Sequence, residues 1–168
     1  MSTLLAVWRG NIAACGEVDA VVNAANEHLA QGGGVCGAIF RAAGAAQLTA
    51  ACDAIGYCAT GDAVATPGFR LPARWIIHAV GPRWIDGDHH EAELLASCYR
   101  RALEVADEIG ARSVAFPAIS TGIFGVPADF GARVAVETIR AVATNVERVL
   151  LVAYDDDWAS RWARVLAA

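Results

Sequence analysis

Three consecutive glycines, Gly32, Gly33 and Gly34, stand between an apolar run and a run of small residues with helical spacing, and no other stretch constrains the fold as tightly. Three missing side chains let the backbone take positive φ and let a bulky, oxygen-rich ligand come close to the amide N–H groups. Upstream, Ala20, Val21 and Val22 form a short β-prone run after Asp19, and the amides of Asn23 and Asn26 fall where that strand should end. Downstream, residues 35–43 read as a helix whose first N–H groups and dipole favour an anion. Strand, glycines and helix in this order suit a phosphate, and they equally suit a flexible loop. The run is not a Walker A loop, since no Lys-Ser/Thr pair follows, and GGGVCG fits the dinucleotide fingerprint poorly.

The rest of the chain alternates strands and helices, which places it in the α/β class. Residues 4–8 predict a first strand, with a turn at Arg9-Gly10-Asn11 where Asn11 reads as a turn or cap residue. Residues 45–55 predict a helix stopped by Gly56, residues 61–66 a strand, and residues 75–80 a central strand that is apolar apart from His78. A lone histidine in such a strand reads as a satisfied core residue. His89 and His90 lie among four acids in residues 86–93, a solvated loop into a capped helix, with a metal site as the alternative.

Residues 91–109 predict a long amphipathic helix and residues 113–117 another buried strand. Ser120, Thr121, Gly122, Ile123, Phe124 and Gly125 then form a second glycine-bearing loop, feeding a helix that begins near Pro127. The last unit runs 130–144, 148–154 and 157–166, with Tyr154 and Asp155 where strand meets helix and the acids there available as caps. Two glycine-bearing loops at strand ends can face one crevice and cradle a diphosphate, because open α/β sheets bind ligands at the carboxyl ends of their strands.

With 168 residues, 56% of them hydrophobic, the chain is expected to be one globular domain spanning 1–168. Its net charge of −5 and its lack of any lysine argue against a sequence-independent grip on nucleic acid. Any phosphate must then be held mainly by backbone N–H groups. No apolar run reaches the length of a membrane span and no leader is evident at residues 1–7, so a cytoplasmic location is expected. The five cysteines, without a CxxC pair, suggest neither a disulfide framework nor a zinc site.

The segments GNIA at Gly10, VVNAAN at Val21, GGGV.GAI at Gly32, IIHAVGP at Ile76 and FPAISTGIFG at Phe116 resemble, in order and spacing, those of the macro domain family. The likeness is closest to its MacroD-type branch of ADP-ribosyl hydrolases and O-acetyl-ADP-ribose deacetylases. This resemblance implies a three-layer α/β/α sandwich around a mixed central sheet. It also implies ADP-ribose in a crevice, mono-ADP-ribosylated proteins as partners, and no cofactor or metal. Gly33, Gly34 and Val35, with the loop from Ser120 to Phe124, would hold the diphosphate. Asn26 would bond the distal ribose, with Asn23 shaping the turn and Phe124 beside that ribose. Asn11, Ile12, Tyr154 and Asp155 would lie toward adenine. The implied hydrolytic set is Asn26, the Gly33 backbone and Phe124 around a positioned water, and the alternative is a non-catalytic reader.

The chain departs from the family pattern at several of these positions. Asn11 replaces the aspartate that accepts from the adenine amino group; an amide oxygen can accept the same bond, at a cost of about 1 kcal/mol. The usual Asp-Gly-Ala-Ile-His is here Cys36-Gly37-Ala38-Ile39-Phe40, so an acid near the attacking water and a histidine one turn on are both gone. Cys36 reads as a small residue lining the pocket, with a nucleophile as the alternative. Phe124 stands where the pattern usually has tyrosine.

Overall fold

The computed structural model describes residues 2–168. In chain order the elements are β1 (Leu4–Arg9), a short 3-10 helix (Ile12–Ala14), β2 (Ala20–Ala25), α1 (Gly34–Ala43), α2 (Ala45–Ile55), β3 (Ala63–Pro67) and β4 (Trp75–Val80). There follow α3 (Glu91–Ile109), β5 (Ser113–Phe116), α4 (Ala128–Ala141), β6 (Arg148–Ala153) and α5 (Asp156–Ala167). The strands form one mixed sheet in the order β1-β6-β5-β2-β4-β3, parallel except for β3, which runs antiparallel to β4.

Side chains alternate between two buried layers, as a strand's period of two requires. Ala20 and Val22 of β2 and Val149 and Leu151 of β6 pack into the layer under α3, α4 and α5, while Val21, Leu150 and Val152 pack into the layer under α1 and α2. The result is a three-layer α/β/α sandwich. Gly44, at φ 105°, ends α1 and lets α2 start at once with its axis turned by 111°. Among the described residues no single helix is long and apolar enough to cross a membrane.

Most element boundaries lie within a residue of those expected, and the larger differences have local causes. β3 starts at Ala63, because Gly61 takes φ 89° and donates its N–H to Val80 O at 2.7 Å, which makes a turn. The helix expected from residue 130 begins at Ala128, capped by Pro127, whose carbonyl accepts from Gly131 N–H at 2.9 Å. Tyr154 lies beyond the end of β6.

Candidate functional site

The carboxyl ends of five parallel strands open onto one crevice, a cavity of about 790 Å³, within the usual range for a small-molecule site. Strand order also orders its contents. At one end lie Arg9, Asn11 and Ile12 after β1, with Val152, Tyr154 and Trp158 from β6 and α5. The loop after β5 crosses the middle, and Asn26, Cys36, Gly81 and Arg83, after β2 and β4, form the other end. Five adjacent strands at a spacing of about 4.8 Å span roughly 19 Å, enough for an extended ligand with a flat group at one end.

Both glycine-bearing loops line the middle of the crevice. Gly33 caps α1 without any side-chain bond, and the first i→i−4 bond there is Gly37 N–H to Gly33 O at 3.2 Å. The N–H groups of Gly34, Val35 and Cys36 therefore precede the helical ladder and are left for a ligand. Across the crevice, the N–H groups of Gly122, Ile123 and Phe124 find no acceptor among the described residues. The two loops approach each other: a Cβ placed on Gly33 would sit 3.9 Å from Ile123 Cδ1. Two sets of unpaired donors facing one space form an anion cradle.

Asn26 lines the crevice but is half engaged, since its Nδ2 donates to Ala30 O at 2.9 Å and its Oδ1 accepts from Ala30 N–H at 3.0 Å. The pair staples the loop of residues 26–30 and leaves one N–H and one lone pair for a ligand. Asn11 likewise lines the crevice while its Oδ1 caps the 3-10 helix through Ala13 N–H at 3.0 Å. Its NH₂ is unpaired and its Oδ1 keeps one lone pair, so the amide can still donate or accept. Cys36 Sγ packs at the cavity wall, 3.7 Å from Ala30 O, and Phe40 is buried one turn deeper.

Two expected binding residues stand elsewhere. Asn23 does not shape the turn: it sits within β2, 1% exposed, behind Cys36, and its Nδ2 meets His78 Nδ1 at 3.1 Å. The alternation of the strand points it into the layer under α1 rather than into the crevice. Asp155 is the N-cap of α5, its Oδ1 accepting from Trp158 N–H at 2.8 Å, and it does not line the cavity. Tyr154 does line it and is 65% exposed.

Several further residues wall the crevice. Trp158 follows Asp155 on the first turn of α5 and gives the β6 end an aromatic wall, a placement that depends on the capped helix start. Gly81 presses against the middle loop, where a Cβ would lie 2.1 Å from Ser120 Oγ. Ser120 takes φ 67° and its buried Oγ has no partner within the protein. Arg83 Cζ lies over the Phe124 ring, 4.4 Å from its centroid. The only hint of these two was Gly81-Pro82 at the end of a parallel strand.

Asp86, His89 and Glu91 bring three possible metal donors within 4.8 Å of one another. Glu91 is already used, its carboxylate accepting from the N–H groups of Ile85, Asp86 and Gly87 at 3.0, 3.1 and 2.8 Å and of His89 at 2.5 Å. Burial raises its pKa, but these donors outweigh that and hold it at about 2. The cluster fastens the loop before α3.

Comparison with known proteins agrees with this geometry. The model of the macro domain family matches residues 22–135. A macro domain-containing protein of Chlorobaculum tepidum is 49% identical, covering 90% of this chain and 89% of its own length. The O-acetyl-ADP-ribose deacetylase of Salmonella typhimurium is 49% identical over 99% of this chain and 96% of its own. Among solved structures, the Oceanobacillus iheyensis macrodomain with ADP superposes with a TM-score of 0.88 at 38% identity, covering 97% of this chain and 88% of that one. The Trypanosoma brucei macrodomain in complex with ADP superposes with a TM-score of 0.87 at 32% identity, covering 97% and 69%. Crevice, sheet order and sequence agree, and the chain belongs to the macro domain family.

Proposed function

We propose that this protein binds ADP-ribose in the crevice and hydrolyses its conjugates, removing mono-ADP-ribose from acidic protein side chains or acetyl from O-acetyl-ADP-ribose. The observation that carries the reading is the pair of facing loops with unpaired N–H donors, set between an aromatic end and an amide-lined end. The relatives named as deacetylases, at 49% identity over 99% of this chain, support hydrolysis.

In this reading the adenine lies at the β1 and β6 end, against Ile12, Val152 and Trp158. The diphosphate lies on the N–H groups of Gly34 and Val35 and of residues 122–124. The terminal ribose lies between Asn26 and Phe124. A water held by a diphosphate oxygen and the remaining hydrogen-bonding capacity of Asn26 attacks the anomeric carbon. The bond from that carbon to the side-chain carboxylate breaks, the carboxylate leaves as an anion, and the water's proton passes through phosphate oxygen to solvent. Such a leaving group is stable at neutral pH, so positioning can replace the acid absent at Cys36. Gly33 contributes by letting the α1 terminus approach the phosphates, and Phe124 by walling the ribose from bulk water.

The test is single-turnover release of ADP-ribose from a protein modified on glutamate or aspartate, with enzyme in excess and Asn26→Ala as control. Release that vanishes in the variant supports hydrolysis. Saturable ADP-ribose binding without release from this conjugate or from O-acetyl-ADP-ribose makes the protein a reader, the outcome that the replacement of the acid at Cys36 favours.

A further inference from the structure

The crevice has a cation at each end, and the two are differently committed. Arg9, after β1, donates through Nη1 to Tyr154 O at 2.7 Å and pairs with Asp156 at 3.3 Å. Arg83, after β4, has no carboxylate within ion-pairing distance among the described residues, whereas Arg101, Arg112 and Arg161 each have one. Of the acids that follow Arg83 in sequence, Asp86 and Glu91 are occupied, and Asp88 does not pair with it either. Asp86 pairs with His89 at 2.8 Å and Glu91 is consumed by four backbone N–H groups.

Arg83 is also held in place. Trp84 N–H donates to Phe124 O at 2.7 Å, and the Trp84 ring meets Phe130 edge-on with centroids 5.2 Å apart. The guanidinium lies over Phe124 while its N–H donors stay unpaired. An unpaired arginine fork at the rim of a cavity matches a carboxylate.

We propose that Arg83 is a specificity-determining residue that receives carboxylates of the polypeptide to which ADP-ribose is attached. The proposal rests on the ADP-ribose reading above. With the base at the β1 and β6 end, the group carried on the terminal ribose leaves the crevice past Phe124, beside Arg83. The chain carries a net charge of −5 and repels an acidic segment at long range, so a local cation at this exit is what admits one. Ile123, 84% exposed and lining the crevice, gives it an apolar surface for the methylenes and backbone of such a segment.

The experiment measures equilibrium binding of two peptides bearing ADP-ribose through a hydrolysis-resistant linkage, one with glutamates flanking the modified residue and one with glutamines, alongside free ADP-ribose. Wild type, Arg83→Gln and Arg83→Lys are compared. Wild type is expected to prefer the acidic peptide by about fivefold, the scale of one exposed ion pair, with the preference shrinking as salt rises. Arg83→Gln is expected to lose the preference, read as the ratio of affinities for the two peptides, by more than it changes affinity for free ADP-ribose, while Arg83→Lys keeps part of it. A preference that survives in Arg83→Gln overturns the proposal. So does an equal loss of affinity for free ADP-ribose, which would place Arg83 on the ligand itself. A folded wild type that does not bind free ADP-ribose would overturn the ligand reading and this inference with it.

Discussion

Asn23 Nδ2 donates to His78 Nδ1 at 3.1 Å, and this bond sets the tautomer of a fully buried histidine. Nε2 then carries the proton and donates to Thr66 Oγ1 at 2.9 Å, and the Thr66 hydroxyl donates in turn to Pro67 O at 3.2 Å. Burial pushes the imidazole pKa down to about 4, against about 6.5 in an unfolded chain. The unfolded state therefore binds more protons in that interval, so the stabilisation is complete above about pH 6.5 and is lost as pH falls toward 4. Thermal unfolding followed across this range should show Tm falling with acid, and His78→Gln should flatten that slope while lowering Tm overall.

Gly81→Ala should disturb the crevice from behind. The added methyl would lie 2.1 Å from Ser120 Oγ and 2.6 Å from Ile119 Cγ2, so the loop after β5 must shift. A stability loss of about 1–3 kcal/mol is expected from overpacking. Calorimetric affinity for ADP-ribose should fall by roughly tenfold, the effect of displacing aligned donors by a fraction of an ångström. Adding Ser120→Ala to the same chain should restore part of both.

Asn11→Asp should tighten ADP-ribose binding. A carboxylate retains the cap on Ala13 N–H with one oxygen and offers the other, charged, to the adenine amino group, where Asn11 has only the second lone pair of its capping oxygen. The gain expected is about 1 kcal/mol, several fold in Kd, measured by titration calorimetry. An unchanged Kd would mean that the base does not meet this edge.

Cys36→Ala should leave single-turnover hydrolysis within about threefold of wild type, because a positioned water needs only space at that wall. Loss of turnover by several orders of magnitude would instead make the thiol a participant in the chemistry. Stability should fall by about 1 kcal/mol for the lost sulfur contacts, read by chemical denaturation.

Legibility followed the range of the forces involved. α2, α3 and β4 could be bounded to the residue because each rests on a local pattern: Gly56 and Gly110 stop the helices, and Gly81-Pro82 ends the strand. The crevice was legible as two loops for the same reason. Asn23 was not, because a short strand's register decides which face an asparagine takes, and one residue separates the crevice wall from the buried His78 partner. Asp155 offered two local roles, and the capping bond to Trp158 settled between them. Trp158 and Arg83 reach the site only through the order of the strands, which no window of sequence contains.

β1 pairs with β6 alone in the sheet, residue by residue from Leu4 with Arg148 to Arg9 with Ala153. β1 thus has no partner in the sheet until β6, the far strand in sequence, docks beside it, and long-range pairing of this kind forms late. Arg9, Asn11 and Ile12 consequently meet Tyr154 and Trp158 only once β6 has paired with β1. That end of the crevice is therefore closed by a contact between distant parts of the chain, and a product that loses β6 loses this wall with it.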